Sequence, residues 1–420
     1  MLRVQRGSFN CINTRLQDIS RLCLPKRYST TDHATIKPLE GIRVLELGQI
    51  KIEPPKTGDP LRKWRGLDHD GQSPWFRSMA RNKKSVCIDL RSEEGRKLVK
   101  QLALKSDVLI ENFKPGTMEK WGLGPENIYP ENPKLVYTRI SGYGQTGPYS
   151  KKPGFASVCE GMGGFRFING HPGQPPVRPN LSLGDSLAGM HAALGTLLGL
   201  IARNKLSHQS RTGQVVDVAI YESMFNMMEG IVPEYDRFQE IRQPSGTTLT
   251  GIVPTNTYPC QDGKHVIIGG NGDSIYVRLM NAIGRPDLTG DDYKTNMERW
   301  WTNIILADWT SKHSADEIIE ALEKASVPAG KIYDAKDMVE DEHINARGMI
   351  EDVTVGTQEE GKGWNLKIPG MSPVLETTPG GTKWPGPDLG AHTDQVLKEL
   401  LSLSEKQLQE YSQTGITGGK

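Results

Sequence analysis

The chain has 420 residues, enough for two domains with substantial cores. Its 51 Lys and Arg residues balance 50 Asp and Glu at a net charge of +1, so no global basic field points to nucleic acid as a partner. The five cysteines (Cys11, Cys23, Cys87, Cys159 and Cys260) are odd in number and lack C-x-x-C spacing, which argues against a disulfide framework or zinc site and fits a reducing compartment.

Residues 1–31 carry Arg3, Arg6, Arg15, Arg21, Lys26 and Arg27 against one acid, Asp18, with Ser and Thr frequent. This composition reads as a mitochondrial transit peptide, with "KRYSTT" (26–31) resembling a processing site and the matrix as the expected location. Beyond it, "IRVLELG" (42–48) and "SVCIDL" (85–90) read as buried strands. "SEEGRKLVKQLALKS" (92–106) has acids in its first turn and Leu98, Val99, Leu102 and Leu104 at helical spacing. "DVLIENF" (107–113) and "KLVYTRIS" (134–141) return to strand. Nearly continuous apolar strands alternating with helices imply a parallel sheet covered on both faces.

A long apolar helix then follows Asp185, and "GQVVDVAIYESMFNMMEGI" (213–231) is a strand running into a helix. The Pro-, Gly- and Thr-rich stretch 238–259 reads as a crossing linker. "YPCQDGKHVIIGG" (258–270) predicts a hairpin turning at Asp262–Gly263, and helical stretches follow at 274–284 and 314–326. After "VPAGKIY" (327–333) the chain alternates again and ends in a helix at 392–401. The expected class is α/β: a Rossmann-like, doubly wound parallel-sheet domain built from both chain halves (38–235 and 328–413), with a smaller α+β domain inserted at 236–327. The longest uncharged apolar run, Leu194–Ala202, is too short for a membrane span, so no membrane is expected.

"GYGQTG" (142–147) matches G-x-G-x-x-G and follows a strand, but "PYSKKPGFAS" after it has no helical period to place a pyrophosphate on a helix end. No metal site is visible, since His191 and His392 are isolated, and G-x-S-x-G is absent. Carboxylate chemistry remains. In "NLSLGDSLAGMHAALG" Asp185 stands where the apolar helix should start. It can be an N-cap, or a carboxylate held ionised by the helix end and able to attack an activated acyl group. The following turns are small (Ala188, Gly189, Ala192, Ala193 and Gly195), and two glycines in a helix need a reason: a close ligand, or a second helix. "GGNGDS" (269–274) is either a sharp turn or a lid, with Gly269, Gly270, Asn271 and Gly272 able to approach a reacting centre. Lys83, Lys84, Lys114 and Lys120 flank strand ends and could neutralise a phosphorylated cofactor.

In order, "LEGIRVLELG", "KIEPPKTGDP", "RNKKSVCIDL", "VLIENFKPGTMEKWGLG", "SGYGQTGPY", "LGDSLAGMHAALG", "GQVVDVAIYESM", "VPAGKIYDAKDM" and "HTDQVLKELL" resemble the class III CoA-transferases, the formyl-CoA transferase and carnitine CoA-transferase family. They span residues 39 to 401. The resemblance implies a CoA-transferase with Asp185 as nucleophile, passing through a mixed anhydride and an aspartyl-CoA thioester. Succinyl-CoA is a candidate donor and a carboxylic or dicarboxylic acid the acceptor. It implies coenzyme A and acyl-CoA as substrates with no permanently bound cofactor, and an interlocked homodimer. Asn82, Lys83, Lys84, Asn112, Phe113, Lys120 and Tyr143 match CoA-contacting segments, while Ser141 replaces a lysine found in one branch. An α-methylacyl-CoA racemase shares the fold, but its Gly-His-Asp motif is missing from "GYGQTGPY". One departure is large: "VLELGQI" (44–50) joins "KIEPP" (51–55) directly, where the family has a loop and helix before the second strand. Either the sequence has a gap there, or the chain folds as a catalytically impaired CoA-binding or partner protein.

Overall fold

The computed structural model describes residues 38–46, 50–205, 212–356 and 363–419. The basic segment 1–31 lies outside them. Six strands run parallel: β1 (Val44–Glu46), β2 (Ile50–Glu53), β3 (Lys84–Ile88), β4 (Val108–Glu111), β5 (Val136–Ser141) and β6 (Val215–Ala219). Among the described residues they form a seven-stranded sheet whose order is Thr417–Gly418, β3, β2, β1, β4, β5, β6. The chain builds outward from β1 in both directions, so the winding reverses between β1 and β4, the kind of place where such sheets open a ligand crevice.

One face of the sheet presents Leu45, Ile52, Val86, Leu109 and Tyr137. These pack on Leu98, Val99 and Leu102 of α1 (Glu93–Leu104), whose N-cap Ser92 accepts from the Gly95 N–H. On the other face, α2 (Ala156–Met162), α3 (Leu183–Lys205) and α4 (Ile220–Phe225) meet β5 and β6. The glycines of α3 resolve individually. A Cβ on Gly195 would sit 2.5 Å from Val216 Cγ1, so this glycine lets the helix settle onto β6, while Gly189 faces open space. At Gly195 the close neighbour is thus a strand. By length and composition α3 could cross a membrane, unlike the uncharged run read from sequence. Ala188, Ala192, Thr196, Gly199 and Leu200 are nevertheless buried in the protein.

The middle of the chain has its own apolar core. Strands β7 (Thr255–Pro259), β8 (His265–Gly269) and β9 (Ala329–Lys331) form an antiparallel sheet, with the β7–β8 turn passing through Gly263 at φ +77°. Tyr258, Val266 and Ile268 pack there against α5 (Asp273–Ala282), α6 (Thr302–Thr310) and α7 (Ala315–Lys324). A hairpin follows, β10 (Ile350–Val355) with β11 (Trp364–Pro369). Helices α8 (Thr393–Leu401) and α9 (Glu405–Gln413) then return to the first face of the large sheet through Val396, Leu397 and Leu408.

The connection between β1 and β2 corrects the sequence reading. Ile50 opens β2, pairing with Lys84 of β3, rather than ending β1. The two parallel strands are neighbours, with Leu45 opposite Ile50, and only residues 47–49 lie between them. A parallel pair ordinarily takes a crossover of roughly a dozen residues or more.

Candidate active site

The ends of β2, β3 and β4 open into a cavity of 780 Å³, lined among others by Lys51, Glu53, Lys56, Asn112, Phe113 and Trp121. These strand termini lie beside the winding reversal, so position and volume both suit a sizeable ligand. Phe113 meets Trp121 edge to face with centroids 5.0 Å apart, a rigid aromatic wall. The floor is a buried ion pair. Glu53 Oε1 takes a bond of 2.8 Å from Arg62 Nη2 and one of 2.7 Å from the Ser85 hydroxyl. Lys51 holds Asp59 at 2.6 Å. Ile140 lines the cavity and also packs against the small apolar cluster beneath α3.

Asp185 stands in the first turn of α3, which begins at Leu183, two residues before it. It is therefore inside the helix and not its N-cap. Asp185 is exposed, and among the described residues no hydrogen bond or ion pair holds its carboxylate. The protein packed beside it raises its pKa, the Glu160 charge adds to the rise, and Arg178 opposes it. The first-turn N–H of Gly184 goes instead to Glu160 Oε1 at 3.3 Å. Glu160 is completely buried on α2 and paired with Arg166 at 2.9 Å. The neighbouring Cys159 thiol is pushed up to about 11, by burial first and by Asp185 second, so it is no competing nucleophile near neutral pH.

The residues matched to CoA-contacting segments divide between two places. Lys83 and Lys84 lead into β3, whereas Asn112, Phe113 and Lys120 follow β4, as does Lys114, read from sequence only as a strand-end lysine; because these strands run parallel, the lysines lie at opposite edges of the sheet rather than clustering. Asn112 and Phe113 line the cavity. Lys120 is exposed at the end of a short helical turn, Thr117–Lys120. Lys83 is bound to Glu46 at 2.7 Å and Lys84 reaches Glu399 at 3.5 Å. Asn82 also braces the fold: at φ +60°, its side chain donates to the Gly381 carbonyl and accepts from the Lys383 N–H. Tyr143 lies against Tyr149 and Tyr221, next to the cluster under α3. "GYGQTG" opens no helix, since α2 begins only at Ala156.

The glycine-rich loop is tied into the middle unit. Gly269 and Gly270 donate to the carbonyls of Pro328 and Pro254 at 2.9 and 2.7 Å, and Arg299 donates to the Asn271 carbonyl at 3.1 Å. Gly272 precedes α5. Gly270 is a packing glycine, because a Cβ there would lie 2.4 Å from Leu279 Cδ2. No described hydrogen bond joins this loop to Asp185.

Comparison with known proteins is decisive for the family. The model of CoA-transferase family III matches residues 48–393. The chain belongs to that family. The succinyl-CoA–D-citramalate CoA-transferase of Chloroflexus aurantiacus is 42% identical over 395 residues, covering 89% of this chain and 96% of the relative. The α subunit of a succinyl-CoA–L-malate CoA-transferase from the same organism is 38% identical, covering 88% and 90%. Among solved structures, a CAIB/BAIF family protein from Brucella suis superposes with a TM-score of 0.74 at 27% identity, covering 87% of this chain and 99% of that one.

In this family III chain, sequence reasoning missed Trp121, Lys56 and Glu160. Trp121 stood in the quoted "MEKWGLG" and could have been paired with Phe113 from aromatic content alone. Lys56 acquires its place only through the turn at the end of β2, where it takes φ +72°. Nothing in the spacing of "SVCEGM" marks Glu160.

Proposed function

We propose that this CoA-transferase moves CoA from succinyl-CoA to a dicarboxylic acid of the citramalate or malate kind, with Asp185 as nucleophile. The observation that carries the reading is the unbonded Asp185 carboxylate in the first turn of α3. The names of the relatives supply the donor and acceptor class. An Asp185 oxygen attacks the thioester carbon of succinyl-CoA, the C–S bond breaks, and CoA leaves as thiolate from a mixed anhydride. The thiolate attacks the aspartyl carbonyl of that anhydride and expels succinate, giving an aspartyl-CoA thioester. The acceptor carboxylate displaces the thiolate to form a second anhydride. Attack of the thiolate on the acceptor's acyl carbon then frees Asp185. Each step exchanges one acyl bond for another, so activation is kept provided water is excluded.

The cavity beside β1 and β4 would take part of the CoA, with Asn112, Phe113 and Lys120 on its β4 side and Tyr143 nearer Asp185. Residues 38–235 and 328–413 would form the large domain and 236–327 the small one, carrying Gly269–Gly272 as a cover supplied within an interlocked homodimer. The exposed stripe Met190, Leu194, Leu198 and Ile201, at helical spacing on α3, supports a partner subunit. Residues 1–31 would direct the chain to the mitochondrial matrix and be removed. N-terminal sequencing of the organelle protein should begin near Tyr28–Thr31, and an intact Met1 would end this part.

The short link between β1 and β2 favours a second reading, in which the chain as it stands is impaired. One experiment addresses both. Hydroxylamine added with succinyl-CoA should mark Asp185 as a hydroxamate, and Asp185→Asn should fold but lose both label and transfer. Where the unaltered chain gives no label, a family-like crossover inserted at residues 47–49 should restore it. Absence of label in that extended chain too would leave the nucleophile reading without support.

A further inference from the structure

Glu160 is a fully buried carboxylate with no assigned part in the reaction. We propose that it is a positioning residue for Asp185: it takes the Gly184 N–H, one of the first-turn donors, for itself and sets a carboxylate paired with Arg166 near the nucleophile. This deepens the reading of Asp185 as nucleophile and rests on it.

The geometry is closely constrained. Helices α2, α3 and α4 converge on Gly184, where a Cβ would stand 3.2 Å from Ile220 Cγ2, 3.3 Å from Ala156 Cβ and 3.4 Å from Glu160 Cγ. That convergence brings Glu160 Oε1 onto the Gly184 N–H, while Oε2 is fixed by Arg166 Nε. Arg166 is itself anchored to Ser157 Oγ at 2.9 Å. First-turn N–H groups ordinarily bind and stabilise a carboxylate. A carboxylate so stabilised is a weaker nucleophile, because its lone pairs are engaged and its basicity lowered. In this chain the buried acid takes one such donor, the Gly184 N–H, away from the exposed acid.

The charged and titratable groups around Asp185 can be named. Cys159 and Glu160 face it from α2, with Arg166 behind Glu160, and Arg178 lies in the segment before α3. On α4, the Tyr221 hydroxyl donates to Glu222. On β5, Arg139 is held by Glu111 and Glu119, and on β6 Asp217 accepts from the Gln145 N–H. Of these, Glu160 raises the Asp185 pKa and Arg178 lowers it.

Two substitutions should therefore move the titration of Asp185 in opposite directions. The readout is hydroxamate formation at Asp185 from succinyl-CoA and hydroxylamine, followed by mass spectrometry across pH. Glu160→Gln keeps an acceptor for Gly184 but removes the charge, so the midpoint should fall. Arg166→Met leaves the Glu160 charge uncompensated, so the midpoint should rise. Should Glu160→Gln not fold, the upward shift in Arg166→Met decides alone. Midpoints equal to the unaltered protein, with Asp185 still labelled, overturn the role of Glu160 and leave the nucleophile standing. No label at any pH in the unaltered protein removes the nucleophile and this proposal together.

Discussion

Gly269 and Gly270 are neighbours with different reasons to be glycine. The nearest atom to a Cβ on Gly269 is the Pro328 carbonyl oxygen at 3.9 Å, whereas one on Gly270 would collide with Leu279. Gly270→Ala should therefore cost about 1–3 kcal/mol through overpacking, while Gly269→Ala should fall within about 0.5 kcal/mol of the unaltered protein. Urea melts of the two variants check this, and equal midpoints would contradict it. At this scale, Asp185 was legible because an acid at the start of an apolar helix is a local pattern. Glu160 was not. Its meaning comes from Gly184, brought beside it by the convergence of three helices, and no spacing rule reports that meeting. Asn82 shows the reverse limit: beside lysines it reads as a ligand contact, and nothing in the sequence shows that its amide also holds the segment 381–383.

Among elements, β2 carries a buried electrostatic commitment through Glu53 and Arg62, both nearly inaccessible. Burial pulls the Glu53 pKa upward, but hydrogen bonds from Arg62, Ser85 and the Asp59 N–H outweigh it and hold the carboxyl below its ordinary value. A depressed carboxyl stabilises the fold fully above its unfolded pKa, and that contribution fades as pH falls through the folded value. Glu53→Gln strands Arg62 and should destabilise the protein by about 3–5 kcal/mol at neutral pH. Denaturant melts at neutral and acidic pH should show the gap to the unaltered protein narrowing on acidification; a constant gap would reject the assignment. Strands β3, β4 and β5 were legible because each is a short apolar run buried on both sides, and β6, half exposed, through its Val215, Val216 and Val218. Helix α9 was not, since only Leu408 on it is buried, although the Ser404–Gln407 capping box was present in the sequence. The two-residue strand Thr417–Gly418 is too short for any period to reveal.

For the whole molecule, the exposed stripe on α3 is the feature one chain leaves unfinished. Met190, Leu194, Leu198 and Ile201 lie on one side of the helix that carries Asp185. Because interlocked chains cannot part without unfolding, Leu194→Glu combined with Leu198→Glu should lower the fraction of freshly made chain that assembles into the proposed homodimer, read by light scattering. A double variant that remains dimeric would place the partner elsewhere.

The large sheet also has a consequence in time. The Cys87 N–H of β3 is bonded to the Thr393 hydroxyl, 306 positions further along the chain. At ribosomal speeds of about 5–20 residues per second, the early strand waits roughly 15–60 s for that partner to be made. Through that interval β3 is an open sheet edge bearing apolar side chains, the kind of surface that pairs with the wrong neighbour. The nascent chain therefore needs shielding longest at the first domain to emerge, and slowing translation should lower the yield of soluble protein rather than raise it.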